Sequence, residues 1–294
     1  MATETRVSDL IRQCEAAIRA RAGGSARIEA EVLAGHVLGR SRAWLLTHPE
    51  GPVSGRDRGR FRRLTGRRAR GVPLQYLTGR QEFWSLEFLV NRHTLIPRPE
   101  SELLVEEALR RVPRAPSLLV DIGTGCGNLA VALASELPRS RVFAVDRSAA
   151  ALAVARRNAR AHGVSRRIRF LRGSLYRPLE GLGLEGRADA VVSNPPYVSA
   201  RDFKGLMREV REHEPRMALV AGPTGLEFYP PLVAGAERLL RGGGVLILEI
   251  GAGESRAVGK ILAASSGFDA VEFRRDGAGI QRVAVARRRS GDAR

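Results

Sequence analysis

Cysteine is almost missing from this sequence: Cys14 and Cys126 are the only two among 294 residues. Two thiols cannot build a disulfide framework or a four-ligand zinc site, and a supply this sparse fits a reducing compartment. Lysine is equally scarce, with Lys204 and Lys260 alone, so nearly all of the 49 basic residues are arginine. No uncharged apolar run approaches the roughly 18–20 residues that a bilayer span requires. The first stretch, MATETRVSDLIRQCEAAIR, is charged throughout and has no apolar centre, so no secretory signal is expected there. Chemical motifs are missing too. There is no G-x-S-x-G elbow and no GK[ST] phosphate loop. The five histidines (His36, His48, His93, His162, His213) show no metal-ligand spacing. These absences lead us to expect a cytoplasmic protein with no metal and no membrane segment, and a monomer.

What is present is a large apolar fraction, 44%, which excludes disorder as a description of the whole chain, and a formal net charge of +18. The charge has two readings. Arginines neutralise phosphates and steer encounter with polyanions, which makes nucleic-acid binding compatible with the sequence without requiring it. Alternatively the excess is compositional, arginine replacing lysine as a GC-rich coding bias would have it. The excess is spread out, +8 over residues 1–82 and +10 over 83–294, and this favours composition. One local run stands out: Arg56 to Arg70 holds eight arginines and one Asp, with Phe61 and Leu64 among them. It reads either as a docking face for an acidic partner or as a solvated helix face.

At roughly 100–200 residues per domain, the length suggests two domains or one with an appendage. Residues 1–82 read as helical. Val7, Leu10, Ile11, Cys14, Ala17 and Ile18 recur at three- and four-residue spacing, and Ile28, Val32, Leu33, Val37 and Leu38 form a second stripe. Residues 83–97 change character: Phe83, Trp84, Leu86, Phe88 and Val90 predict a short aromatic-rich β-hairpin connector. From 98 to 294 the pattern becomes strand–helix alternation. Strands are expected at Leu118–Ile122, Val142–Asp146, Ile168–Leu171, Ala190–Ser193, Val245–Ile250, Ala270–Phe273 and Arg282–Ala286, the last two antiparallel. Alternation of this kind predicts an α/β, Rossmann-like, seven-stranded sheet with helices on both faces.

The first of these strands runs into Asp121-Ile-Gly-Thr-Gly-Cys-Gly-Asn128 and then a helix. Glycines at 123, 125 and 127 permit a tight turn and close approach of a ligand to the backbone, and the helix start offers free N–H groups. Asp146 ends the next strand, 19 residues after Gly127, where a doubly wound fold puts a carboxylate on ribose hydroxyls; a cap for the following helix is the lesser alternative. The G-x-G-x-G spacing, with no second dinucleotide half, favours a single-nucleoside cofactor. The fourth strand ends in Asn194-Pro195-Pro196-Tyr197, at the carboxyl edge where such sheets bind ligands. Asn194 both donates and accepts, Pro195 offers a carbonyl and no N–H, the prolines stiffen the loop, and Tyr197 offers a flat face. Together they predict a pocket for a planar –NH2 group. A plain Pro-Pro turn is the bland alternative.

At these residues the sequence resembles the Class I S-adenosylmethionine methyltransferases. More closely, it resembles the HemK/PrmC family of glutamine-N5 methyltransferases, which modify peptide chain release factors. The likeness covers nearly the whole chain. It includes PLQYLTGRQEFWSLEF (73–88), LIPRPESELLVE (95–106), VDIGTGCGNLAVALA (120–134), VDRSAAALAVARRNA (145–159), VSNPPYV (192–198), HEPRMALVAGPTGLEFY (213–229) and GGGVLILEIG (242–251). The resemblance implies that Gly123, Thr124, Gly125, Cys126 and Gly127 cradle the methionine part of S-adenosylmethionine, that Asp146 holds its ribose, and that Asn194, Pro195, Pro196 and Tyr197 grip the substrate glutamine, with Asn194 also at the cofactor. It implies that LIPRPES, with Arg98 and Glu100, packs over the site and that the N-terminal helical domain contacts the release factor. Two departures are visible. Gly173-Ser174-Leu175-Tyr176 stands where many members carry an acidic residue beside the adenine, and Ser101 stands where Thr is common. The tetrapeptide is shared with adenine-N6 methyltransferases of nucleic acids, and some relatives modify a ribosomal protein. These are the alternatives to methylation of the release-factor GGQ glutamine.

Overall fold

The computed structural model describes residues 5–22 and 25–290. Gly23 and Gly24, expected to break the first helix, lie outside the described residues. The chain divides into two compact units: one runs to Arg80 and includes Met207–His213, and the other is Gln81–Leu206 with the chain from Glu214 onward. The return of 207–213 to the first unit has no counterpart in the sequence pattern.

The first unit is helical: α1 (Val7–Ala22), α2 (Ala26–Leu38), α3 (Arg42–Thr47), α4 (Gly55–Ala69) and α5 (Leu74–Thr78), joined by the short helix Arg208–His213, which is α9 in chain order. Val7, Leu10, Ile11, Cys14 and Ile18 are buried as the spacing predicts, while Ala17 is exposed. The stripe expected on α2 needs correction. Ala26, Ala30, Leu33, Ala34 and Val37 face the core, and Ile28 and Val32 stay exposed. A small-residue face lets α1 and α4 approach closely, so alanine rather than the larger side chains marks the buried side. The arginine run forms α4, anchored by buried Phe61. Six of its eight arginines are exposed, but Arg68 is buried. Its Nη2 donates to Glu29 Oε1 at 3.1 Å and its Nη1 to Glu209 Oε2 at 2.6 Å.

The second unit begins at the hairpin β1 (Arg80–Phe83) and β2 (Leu86–Leu89). Its turn puts Trp84 and Ser85 at φ of 55° and 54°, a conformation that costs a non-glycine residue energy. Two carboxylates hold it: Trp84 N donates to Glu102 Oε1 at 2.7 Å and Trp84 Nε1 to Glu136 Oε1 at 2.8 Å. A 3-10 turn at Pro99–Ser101 leads into α6 (Glu102–Arg111). There follow β3 (Leu118–Ile122), α7 (Asn128–Glu136), β4 (Arg141–Asp146), α8 (Ala149–Ala161), β5 (Ile168–Arg172), β6 (Ala188–Ser193), the short pair β7 (Val198–Ser199) and β8 (Val220–Gly222), α10 (Tyr229–Leu239), β9 (Leu240–Glu249), α11 (Ser255–Ala263), β10 (Glu272–Arg275) and β11 (Gln281–Arg287).

The main sheet has the order β10-β11-β9-β6-β3-β4-β5, parallel except for β11, which pairs antiparallel with both neighbours. This is the expected seven-stranded sheet. Alternate residues feed two cores, Leu119, Ala190, Val192, Val245 and Ile247 on one face and Val120, Ile122, Val191, Leu246 and Leu248 on the other. The expected strand Ala270–Phe273 lies two residues further on. Phe268 bridges Arg288 and the ladder resumes only at Glu272↔Val285, leaving one more residue on this strand than on its partner. Strand order reverses between β3 and β6, so the crevice of the fold opens between the loops that follow them. Among the described residues no helix is long and apolar enough to cross a membrane.

Candidate active site

A cavity open to solvent lies at that reversal. Gly123 and Gly125, Asp146, and Asn194, Pro195 and Pro196 line it together. Leu175, Phe228 and Leu232 supply an apolar wall, with Ser174, His93 and Met217 at the same cavity.

The loop after β3 is held by its backbone. Gly123, Gly125 and Gly127 have φ of 79°, 57° and 84°, which glycine adopts without strain. Gly123 N and Thr124 N donate to Val145 O at 2.9 and 3.0 Å, and Gly125 N donates to Asp146 Oδ2 at 2.9 Å. A side chain at Gly123 would stand 3.8 Å from the Asn194 carbonyl, between the two loops. The other loop residues face inward. Thr124 Oγ1 donates to Asp121 Oδ2 at 2.6 Å, and burial pushes the Asp121 carboxyl up to about 7. Cys126 is buried, its thiol pushed up to about 12, so it is no nucleophile at neutral pH. Gly127 sits against Ala155, 3.0 Å from where its Cβ would be. Thus Gly123 and Gly125 meet the cavity, while Thr124, Cys126 and Gly127 shape the loop that presents them.

Asp146 is the one carboxylate among the described lining residues. Its Oδ1 accepts from Ser148 N at 2.8 Å. The helix-cap reading of Asp146 does not hold: the cap of α8 is Ser148, whose Oγ accepts from Ala151 N at 3.1 Å. Burial raises the Asp146 carboxyl, opposed by the N–H donors of Ser148 and Gly125.

The loop after β6 is held by side chains instead. Asn194 Nδ2 donates to Ser101 Oγ at 2.9 Å. Ser101 Oγ in turn bonds Glu249 Oε2 at the end of β9, and Tyr197 Oη donates to Glu249 Oε1 at 3.2 Å. Tyr197 therefore turns away from the cavity, its ring packed against the core below. Burial pushes the Glu249 carboxyl up to about 7, with the Ser101 and Tyr197 hydroxyls and Arg282 pulling the other way. Burial, then the Glu249 charge, raises the Tyr197 phenol. The two most distinctive motif segments also meet: Arg98 pairs with Glu214, whose Oε2 accepts from Ile96 N at 3.1 Å. Sequence reading misses Glu249 as a partner of the tetrapeptide. The available signal is an acid closing an apolar run, VLILE, at the ligand edge of the sheet.

Two family models match the chain, one described as the PrmC N-terminal domain over residues 9–79 and one as a Methyltransferase small domain over residues 99–213. The solved catalytic domain of hMettl16, in complex with MAT2A 3'UTR hairpin 6, covers 76% of this chain and 81% of its own with a TM-score of 0.56. A methyltransferase from Pyrococcus furiosus covers 69% and 89% with a TM-score of 0.50. At 17% and 19% identity these two show the fold alone. The curated relatives reach further. The release factor glutamine methyltransferase of Moorella thermoacetica is 45% identical over 94% of this chain and 96% of its own. That of Nitratidesulfovibrio vulgaris is 41% identical over 95% and 94%. Likeness of this depth runs through the helical unit and the crevice alike, and on it the chain belongs to the release factor glutamine methyltransferase family.

Proposed function

We propose that this chain transfers the methyl group of S-adenosylmethionine to the side-chain amide nitrogen (N5) of a glutamine in peptide chain release factors. The observation that carries the reading is the convergence on one cavity of Gly123 and Gly125, the Asp146 carboxylate and the Asn194-Pro195 acceptors. The residues fit the cofactor. A floor kept clear by glycine suits its methionine part, Asp146 has acceptor capacity left for ribose hydroxyls, and Leu175, Phe228 and Leu232 suit a flat base. Ser174 replaces a carboxylate with a hydroxyl on the base side.

When bound, the cofactor supplies an electrophilic methyl group on a sulfonium. The remaining work falls to the chain. An amide nitrogen is a weak nucleophile because its lone pair is shared with the carbonyl. Asn194 Oδ1 and the Pro195 carbonyl accept hydrogen bonds from its two N–H groups, aiming the nitrogen at the methyl group and raising the electron density on it. Positioning of this kind can supply up to ~7–11 kcal/mol of a barrier. No side chain is needed as a strong base, since the methylated amide can lose its proton to water. Tyr197 serves by holding the loop through Glu249, rather than as a wall against the substrate. The helical unit, which matches the PrmC N-terminal domain, is the part we assign to release-factor contact. Such an activity belongs in the cytoplasm, with translation.

Adenine methylation in a nucleic acid is the second reading, favoured by the tetrapeptide and the charge of +18. One assay separates them. The protein is incubated with methyl-labelled S-adenosylmethionine and, in parallel, release factor, ribosomal protein or DNA. Label on the release-factor glutamine is expected; label on DNA alone, or on nothing, overturns the proposal. Asp146→Ala should weaken cofactor binding about tenfold by calorimetry, the loss of one to two good hydrogen bonds.

A further inference from the structure

The amide nitrogen of Asn194 anchors the side chain by donating to Ser101 Oγ, and its oxygen is needed for the substrate. Which atom faces the cavity depends on a side-chain flip that Asn194 cannot settle alone, because its two ends are almost the same shape. The groups behind it settle it. Glu249, 2% exposed, ends β9 and receives two hydroxyls, Ser101 on Oε2 and Tyr197 on Oε1. A hydroxyl has one proton. With Ser101 donating to the carboxylate, its oxygen can only accept from Asn194, and it does so from Nδ2 at 2.9 Å. That leaves Asn194 Oδ1 as the amide end free for the cavity.

Resting on the function proposed above, we infer that Ser101 and Glu249 are positioning residues for the methyl transfer: the carboxylate fixes the direction of the Ser101 proton, and Ser101 fixes the flip of Asn194. Neither residue touches the cavity. Tyr197 completes the device by tying the far end of the tetrapeptide to the same carboxylate. The charged and titratable groups around Glu249 are Glu100 beside Ser101, Arg282 on β11, Tyr197, and Tyr229 on α10, whose hydroxyl reaches the Glu249 backbone carbonyl at 3.4 Å. When Glu249 takes up a proton it becomes a donor, Ser101 is free to turn its own proton onto Asn194, and the amide end facing the substrate reverses. Turnover should therefore fall on the acid side of a Glu249 titration near 7.

The test uses the full chain with labelled S-adenosylmethionine and release factor. Wild-type turnover comes first; its failure overturns the function, and only its success admits the rest. Ser101→Ala should lower kcat about 10- to 100-fold, the cost of a misplaced group, with KM for release factor and cofactor affinity by calorimetry within about twofold. Ser101→Thr, which keeps the hydroxyl, should recover most of that loss. Glu249→Gln should lower kcat similarly and abolish the acid limb of the kcat–pH profile. The double variant should lose no more than the worse single one, because both act through one chain of bonds. The inference is overturned if Ser101→Ala keeps wild-type kcat, if Ser101→Thr fails to recover it, or if the losses add. Thermal unfolding is run on each protein. Should Glu249→Gln fail to fold, the Ser101 pair and Tyr197→Phe, expected to lower kcat severalfold, decide the matter.

Discussion

Glu31 in the helical unit and Glu249 in the α/β unit are the same residue, each 2% exposed, and their carboxyls shift in opposite directions. Burial pushes both up. At Glu31 two guanidiniums outweigh it: Arg27 Nε lies 2.6 Å from Oε1 and Arg42 Nε 2.7 Å from Oε2, and the carboxyl is held below its usual range. Glu249 meets hydroxyls rather than a guanidinium, and it stays up at about 7. A buried charge faced by its opposite is a strut that holds helices together. A buried carboxyl faced by hydroxyls, two hydrogen bonds from a cavity, retains a choice of proton direction that a reaction can use.

The comparison can be sharpened most by Asn194→Ala, at the working end of the Glu249 cluster. Turnover should fall at least about 100-fold, as when one preorganised partner of a transition state is removed, with cofactor affinity and thermal stability little changed. Turnover near wild type would remove the active-site half of the contrast.

Arg68→Met in the helical unit should do the reverse. Arg68 is buried between Glu29 and Glu209, and deleting one side of a buried ion pair costs about 3 kcal/mol. Denaturant unfolding should register that loss, while the folded fraction keeps its kcat. A variant as stable as wild type would mean the cluster is no strut.

The two glutamates should also give stability slopes of opposite sign. Glu31, depressed when folded, contributes stability above its unfolded value of 4.5 that is lost as pH falls through the folded one. Glu249, raised when folded, contributes below 4.5 and loses that contribution as pH rises to about 7. Each slope is bounded by about 1.4 kcal/mol per pH unit. Unfolding of Glu31→Gln and Glu249→Gln between about pH 2 and 8 should flatten one limb each, below 4.5 for Glu31 and between 4.5 and about 7 for Glu249. Parallel curves would refute the distinction.

The smallest effect is expected from reversing Arg62, Arg63 and Arg67, exposed on α4, to Glu. If the face is only solvated, release-factor KM stays within about twofold, as for other surface charges. A larger rise in KM that salt mimics in the wild type would make α4 a docking face.

Much of the site is legible in the order of residues along the chain. Glycines at 123 and 125 advertise their backbone role, and Asp146 closes a strand at the distance the fold demands. The tetrapeptide announces its acceptors through proline's missing N–H. Where pattern and molecule part, the reasons are size, register and distance. Ile28 and Val32 suggest a buried stripe because they are large, whereas the packed face of α2 is made of alanines. Alternation sets the strand near Ala270 two residues early because it cannot register a bulge. The flat ring of Tyr197 points to a cavity wall, and nothing nearby in sequence shows the carboxylate that captures its hydroxyl.

The seven-stranded α/β sheet, the glycine loop, the position of Asp146 and the acceptors at Asn194 and Pro195 follow from sequence alone, because each depends on the periodicity or backbone chemistry of neighbouring residues. Tertiary structure was needed to settle that Asn194 Nδ2 turns to Ser101, that Arg98 answers Glu214, and that Arg68 is buried between two carboxylates rather than part of a surface face. Those outcomes rest on hydrogen bonds between residues 93, 116 and 141 positions apart. A local pattern carries no information about partners that distant; folding alone brings them within about 3 Å.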